Sequence, residues 1–221
     1  MQYHEYQPAD ALKKYVKCYY SIRCDDLEVV EDKAFATGCV EIMFTLNGRP
    51  WQTKKQDGFR DTSSVELWGQ ILDPLTFKSV GRSEIFGIRF YPATASFLLK
   101  EDISVFNNSV LSLTDVLGNT AKELHTRLQD EGSIDQQIRL VDAYLMNKAD
   151  VHSKSAVKIE LIQQVMSEVA HPDFFDNIDN VAQRYGITSR YLQKIFVSIH
   201  GTDPEIIFED QQVSEQPCVD Q

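Results

Sequence analysis

The sequence is poor in histidine, cysteine and positive charge, and it has no long apolar run. Five histidines in 221 residues, His4, His125, His152, His171 and His200, lie scattered along the chain. A metal centre needs two or three of them converging with a carboxylate within about 2 Å of one ion, and no such cluster is written here. The cysteines, Cys18, Cys24, Cys39 and Cys218, have neither paired zinc-site spacing nor the density of a disulfide scaffold. They read as reduced structural thiols in a reducing compartment. No stretch approaches the roughly 20 apolar residues of a membrane span. The first residues, MQYHEYQPAD, lack the apolar core of a signal peptide. The expectation is a cytoplasmic protein that makes no membrane contact. Nucleophile elbow, Walker loop and dinucleotide glycine pattern are all missing, so the chain is expected not to be an enzyme and no cofactor is implied.

Basic residues number 22 against 33 acidic ones, a net charge of -11. A nucleic-acid reader normally carries a basic patch that neutralises phosphates. Distribution qualifies the total. Between residues 154 and 200, Lys154, Lys158, Arg184, Arg190 and Lys194 balance Glu160, Glu168, Asp173, Asp176 and Asp179. Beyond that stretch lie Asp203, Glu205, Glu209, Asp210, Glu215 and Asp220 with no Lys or Arg.

The most informative run is NIDNVAQRYGITSRYLQKIFVSIHGTDP, residues 177–204. Asn177 is placed to cap a first helix carrying Ile178, Val181, Ala182 and Tyr185 at helical spacing. Gly186 ends that helix, and Thr188 caps a second of about twelve residues. Tyr191, Leu192, Ile195, Phe196 and Ile199 make its buried stripe. Ser189, Arg190, Gln193 and Lys194 occupy the other face near the N-terminal end, the part that meets base edges when such a helix lies in the major groove. With Thr188 and Arg184 they are the candidate DNA contacts. An ordinary helical hairpin would show the same stripes.

The order and spacing of Ala182, Gly186, Thr188, Tyr191, Leu192, Phe196, Gly201 and Pro204 resemble the first helix-turn-helix of AraC-type transcriptional regulators. The resemblance covers about an eighth of the chain. That family continues through a basic linker helix into a second helix-turn-helix, whereas here the sequence runs on as EIIFEDQQVSEQPCVDQ. The resemblance therefore implies a DNA-binding half truncated after its first motif, which binds double-stranded DNA weakly as a monomer. It also implies a homodimer, or a heterodimer with a full-length relative. A non-DNA-binding interaction or sensing module that modulates such a relative is the alternative.

The first 150 residues are long enough for a core of their own, and apolar content is 43%. A short helix at 10–16 leads into a strand at 17–23. Phe35 and residues 40–46, then 67–72, 77–80 and 85–90, are further short runs rich in β-branched and aromatic residues. Residues 49–64 are few in apolar side chains and read as an exposed loop. After Pro92 the pattern turns helical at 93–100, 113–129 and 134–148, the last with a capping box from Ser133 and Gln136. The expected class is α+β. A small antiparallel sheet or barrel with flanking helices occupies 1–150, β-rich to about residue 91. A partial helix-turn-helix domain follows at 156–208, and an acidic, disordered tail at 209–221. A linker at 149–155 precedes a helix at 156–170 with Val157, Leu161, Val165 and Val169 on one stripe.

YQPADALKKYVKCYYSI, GCVEIMF at 38–44, WGQ at 68–70 and GIRFYP at 87–92 resemble, in that order, the cupin-like N-terminal sensor domain of many AraC-type regulators. By that resemblance the domain would sense a small-molecule effector and dimerise. Glu41 and Arg89 are charges inside apolar strands. Alternation points them to solvent, the alternative being a pocket role or a buried ion pair. With Trp68 they are the candidate ligand-binding residues. Trp51 and Trp68 line either a pocket or ordinary packing.

Overall fold

The computed structural model describes residues 1–24, 29–34, 38–99, 101–148, 154–171, 173–174, 176–205 and 207. In chain order come β1 (Gln2–Tyr6), a 3-10 turn (Asp10–Leu12), β2 (Val16–Cys24), β3 (Val29–Ala34), β4 (Val40–Gly48), β5 (Gln52–Lys55), β6 (Gly58–Asp61), β7 (Val65–Trp68), β8 (Leu75–Val80) and β9 (Ser83–Phe90). Then follow α1 (Pro92–Leu99), a 3-10 turn (Ile103–Phe106), β10 (Val110–Ser112), α2 (Leu113–Leu117), α3 (Asn119–Asp130), α4 (Ile134–Lys148), α5 (Lys154–Val169), α6 (Ile178–Arg184) and α7 (Ser189–His200). The class is α+β, with two antiparallel sheets ordered β1-β2-β9-β4-β7-β10 and β3-β8-β5-β6.

Central strands of the larger sheet are apolar on both faces because both faces are covered. Successive side chains on a strand point oppositely, so β2 sends Tyr19 one way and Tyr20 the other, and both are buried. Tyr19, Ile42, Phe44, Leu67, Phe86, Ile88 and Phe90 meet Leu124 and Leu128 of α3 and Leu140, Val141 and Leu145 of α4. Tyr20, Ile22, Met43, Trp68 and Ile85 face the smaller sheet, where Trp51 and Phe77 join them. Each large side chain fully buried contributes about 1.5–3 kcal/mol, so these two cores hold the domain. Gly87 permits one close approach: a Cβ there would fall 2.0 Å from Cζ of Tyr20, whose ring crosses β9 at that point.

Several expectations change. The region 49–64 is not a loop but the hairpin β5–β6, with Trp51 and Thr53 buried, because β5 adds to β8 and turns alternate residues inward. The helix expected at 10–16 is one 3-10 turn before β2. Gly118, at φ 64°, splits 113–129 into α2 and α3. β10 lies after residue 91, paired with β7, so strands do not end there. β1 and β3, whose residues are mostly exposed and polar, carried no readable period. The α4 bounds and the Ser133–Gln136 side-chain pairing match the reading. Phe35, Cys218, His152, Ile206, Phe208, 149–153 and 209–221 lie outside the described residues.

The last three helices share one apolar cluster formed by Ile159, Ile162, Val165, Val169, Val181, Ala182, Leu192, Ile195, Phe196 and Ile199, to which α1 adds Ala93. In α5, Val165 and Val169 are buried and Leu161 packs on the cluster as the spacing indicates, whereas Val157 is 70% exposed and Ile159 and Ile162 fill the first half of the buried stripe. A polar seam fastens the end of α7 to the preceding chain. Ser198 donates to Asp102, Asn107 Nδ2 donates to the Gly201 carbonyl at 2.6 Å, and Thr202 Oγ1 donates to Gln70 Oε1 at 2.9 Å. No helix among the described residues is long and apolar enough to cross a membrane.

Candidate functional site

The register of the larger sheet places Cys18, Arg89, Glu41 and Trp68 in a single row across β2, β9, β4 and β7. Glu41, Arg89 and Trp68, the three candidates taken from separate strands, therefore stand side by side. They do not point to solvent. Their face is roofed by the smaller sheet, and Glu41 and Arg89 keep only 15% and 19% side-chain exposure. Arg89 Nε donates to Glu41 Oε1 at 3.0 Å, and the Tyr20 hydroxyl donates to Glu41 Oε2 at 2.6 Å. Arg89 also reaches Glu5 at 3.2 Å and lies over the Tyr20 ring, 5.2 Å from its centre.

These groups wall one end of a cavity of about 190 Å³ between the two sheets. Trp51 and Phe77 stack at 4.5 Å with nearly parallel rings, and Trp68 stands edge-on to both. Ile22, Met43 and Ile71 complete the apolar wall, with Cys39 beside them. The indole N–H of Trp51 is buried and has no hydrogen-bond partner among the described residues. Trp68 differs, since its indole donates to Glu66, which also accepts from the Thr62 hydroxyl.

Protonation equilibria follow from burial. Burial by itself lowers the Arg89 pKa, but the charge and hydrogen bond of Glu41 more than offset this and hold the guanidinium charged. Burial, then the Glu41 charge, drives the Tyr20 hydroxyl far up. Cys18 is pushed up to about 11 and Cys39 also rises, both through burial, so neither is a nucleophilic thiolate at neutral pH. Glu66, almost wholly desolvated, is pushed up to about 7 against the two hydrogen bonds it accepts. Among the described residues no three His, Cys, Asp or Glu gather as a metal site, and Cys18, Cys24 and Cys39 are buried and free.

The second candidate surface is the α6–α7 pair. Asn177 accepts from the backbone N–H of Asn180 and Thr188 from that of Tyr191, so both caps form as the sequence indicates. Gly186 makes the turn at φ 68°, where a side chain would be strained. Tyr191 is not in the buried stripe but 43% exposed, because Leu192, Ile195, Phe196 and Ile199 fill the inner face. Of the six candidate DNA contacts, Arg184, Thr188, Arg190 and Lys194 are exposed and Ser189 and Gln193 are half-buried. Three of the six side chains bond carboxylates of the protein itself: Arg184 with Asp176 and Glu168, Ser189 with Asp179, and Gln193 with Glu205.

One segment touches both surfaces. Trp68 and Ile71 line the cavity, while Gln70 between them is buried and bonds Thr202 just past α7. Around Gly201, Gln70 Nε2, Asn107 Oδ1 and His200 Nδ1 are buried with no partner among the described residues. Burial holds His200 neutral, with its pKa lowered to about 4. Sequence reading missed Tyr20, Phe77, Glu66 and Gln70. Only the register, which needs the paired strands, brings them to these places.

Residues 4–112 match the model of a domain of unknown function (DUF6597). No curated protein matches the chain. Among solved structures the chain is similar to ToxT from Vibrio cholerae at 11% identity, over 86% of this chain and 97% of ToxT, with a TM-score of 0.29. It is similar also to ToxT bound to (E)-4-(8-methylnaphthalen-1-yl)but-3-enoic acid, at 9% identity over 94% and 99% of the two chains, with a TM-score of 0.29. A third is CuxR, an AraC-like transcriptional activator, at 13% identity over 97% and 86%, with a TM-score of 0.31. Overlaps of this size leave the reading of the chain to its own residues.

Proposed function

We propose that this protein is an effector-responsive, DNA-binding transcriptional regulator of the AraC type. The observation that carries the reading is the α6–α7 pair, capped at both helix starts, with Arg190 and Lys194 exposed at the N-terminal part of α7. Thr188, Ser189, Arg190, Gln193, Lys194 and Arg184 would contact double-stranded DNA. A single reader with a few base contacts at about 1–3 kcal/mol each binds weakly. Two readers on one duplex, in a homodimer or beside a full-length relative, would gain roughly 10²–10⁴ by avidity.

The cavity between the sheets would hold a small-molecule effector. Its response would pass through the Trp68–Ile71 segment, since moving Trp68 or Ile71 disturbs Gln70 and with it the Thr202 anchor at the end of α7. Coupling of this kind needs an effector that prefers one of two seats of the helix pair.

A second reading is an interaction module that binds no DNA and modulates a relative. It is favoured by the carboxylates on Arg184, Ser189 and Gln193, which place negative charge where phosphates would approach. Binding of the full chain to a pool of random duplex DNA at two salt concentrations, beside an Arg190→Ala/Lys194→Ala variant, separates the two. Selective enrichment that is lost in the variant, with a shallower salt dependence, supports the regulator. No binding at the lower salt supports the interaction module.

A further inference from the structure

The two sheets end in four strand edges, β1 and β10 of the larger sheet and β3 and β6 of the smaller. An uncovered edge offers unpaired backbone N–H and C=O groups to another chain, and proteins blunt it with charge, proline, a bulge or shortness. Three of the four are blunted so. β10 has three residues and runs straight into α2. β3 sets Glu31, Asp32 and Lys33 in succession along its edge, and β6 is four residues long with Arg60 and Asp61 at its end. β1 differs. Its five residues, QYHEY, hold no proline, lysine or arginine, and its pairing with β2 runs from Gln2–Arg23 to Tyr6–Tyr19 without a bulge. Gln2, Tyr3, His4 and Glu5 are all exposed, and among the described residues no strand pairs with the outer side of β1. The carboxylate of this strand, Glu5, is turned onto Arg89 at 3.2 Å.

Symmetry and side chains decide what such an edge accepts. In antiparallel pairing, groups that point outward on one strand must meet outward-pointing groups on the other, so a strand paired with its own copy places one residue opposite itself. With His4 at that position all five residues pair: Gln2 faces Tyr6 of the second copy, Tyr3 faces Glu5, and His4 faces His4. Centring on Tyr3 or Glu5 pairs only three of them. Successive side chains alternate between faces. Tyr3 and Glu5 share the face of Arg89, which donates to both, and Gln2, His4 and Tyr6 border a groove on the other face. The His4-centred pairing thus sets a tyrosine hydroxyl opposite a carboxylate on one face and leaves no like charges opposite each other, which favours cross-strand pairs. β3 fails the same test, since a central axis sets Glu31 or Asp32 against its own copy.

We propose that β1 pairs antiparallel with β1 of a second copy about a two-fold axis at His4, joining two six-stranded sheets into one continuous sheet. The proposal rests on the regulator reading for the need of a homodimer, and its test contains no DNA, so the two fail separately. One five-residue pairing belongs to the weak interfaces, under about 1,200 Å², so the dimer forms only at high concentration when free, and two chains held on one duplex would close it. Arg89 walls the cavity and bonds both Tyr3 and Glu5, so one side chain ties the interface to the cavity.

Disulfide trapping in the full chain reads the register. Cys18, Cys24 and Cys39 are buried, and Cys218→Ser removes the remaining thiol. In this background His4→Cys brings two Cβ atoms to about 4.5–5.5 Å, within reach of a disulfide, whereas Gln2→Cys stands more than about 10 Å from its copy. Under mild oxidation His4→Cys is expected to give a linked dimer at least about tenfold faster than Gln2→Cys. Sedimentation of the wild-type chain without oxidant should show a reversible dimer by about 1 mM. His4→Lys lowers the net negative charge yet sets two ammonium groups opposite each other, and should weaken that dimer about three- to fivefold. Equal linking rates for the two cysteines, or a dimer that His4→Lys leaves as strong or strengthens, overturns the proposal. Gln2 and His4 are exposed, so all of these variants are expected to fold. Wild-type chains that stay monomeric at about 1 mM overturn it without them.

Discussion

The cavity wall and the outer face of α6–α7 both set arginines against carboxylates, yet they do so under opposite conditions. Arg89 and Glu41 are enclosed between two sheets, bonded to each other and to Tyr20. Arg184, 45% exposed, meets Asp176 and Glu168 at the edge of solvent. Breaking one partner of an enclosed pair strands a charge, whereas an exposed pair is worth about 0–1 kcal/mol because water competes for it. The wall is thus fixed in shape. The helix face is a surface whose ion pairs a phosphate can displace at little cost.

The most direct way to break this comparison is to remove one partner on each side. Glu41→Ala leaves Arg89 with Glu5 as its remaining carboxylate and the buried Tyr20 hydroxyl without its acceptor, and should lower unfolding stability by about 3–4 kcal/mol, read from the denaturant midpoint. A loss under about 1 kcal/mol would mean that water reaches the wall freely and that the two regions are alike.

Titration sharpens it, because buried Glu66 behind the wall residue Trp68 and buried His200 at the end of α7 respond to pH in opposite directions. The Glu66 carboxyl has a folded pKa raised to about 7, above an ordinary value near 4.3. Its neutral form is favoured by folding, so its contribution is full below about pH 4.3 and lost as pH rises through 7, by roughly 3–4 kcal/mol. Glu66→Gln should remove that loss when stabilities at pH 5 and pH 8 are compared.

His200 behaves in the reverse sense at the seam. Burial lowers its pKa to about 4 from an ordinary value near 6.5, so neutral His200 supports the fold above about pH 6.5. That support is lost as pH falls through 4, by roughly 3 kcal/mol. His200→Leu should flatten the acid limb, and hydrogen exchange in α7 should accelerate in acid before exchange in β2 or β9 does. Simultaneous loss of protection would show the seam and the sandwich to be one unit. The smallest effect is expected of Arg184→Ala, within about 1 kcal/mol by the same denaturant assay.

How far the sequence reached differs between the regions for a physical reason. Helix caps and stops are local: Asn177, Gly186 and Thr188 act on backbone groups within a turn of themselves, and each does what its residue type indicates. The hairpin at 52–61 was misread because its apolar content is low, and it is ordered by pairing with β8, a partner more than a dozen residues away in sequence. Helical spacing alone misplaces Tyr191 and Val157, since each sits at the edge of an apolar stripe and the spacing does not say how far the neighbouring helices cover it.

By itself the sequence determined the α+β class, the main strand runs, the α4 and α7 boundaries and the paired caps of the last two helices, all properties of short windows. Tertiary structure alone decided that Glu41, Arg89 and Trp68 form one row, that the face bearing them is covered, and that Gln70 joins the cavity to the end of α7. Those facts depend on strand register and on a second sheet closing over the first. Period-two alternation cannot report either, because it states only that two residues share a face and is silent on what lies above it.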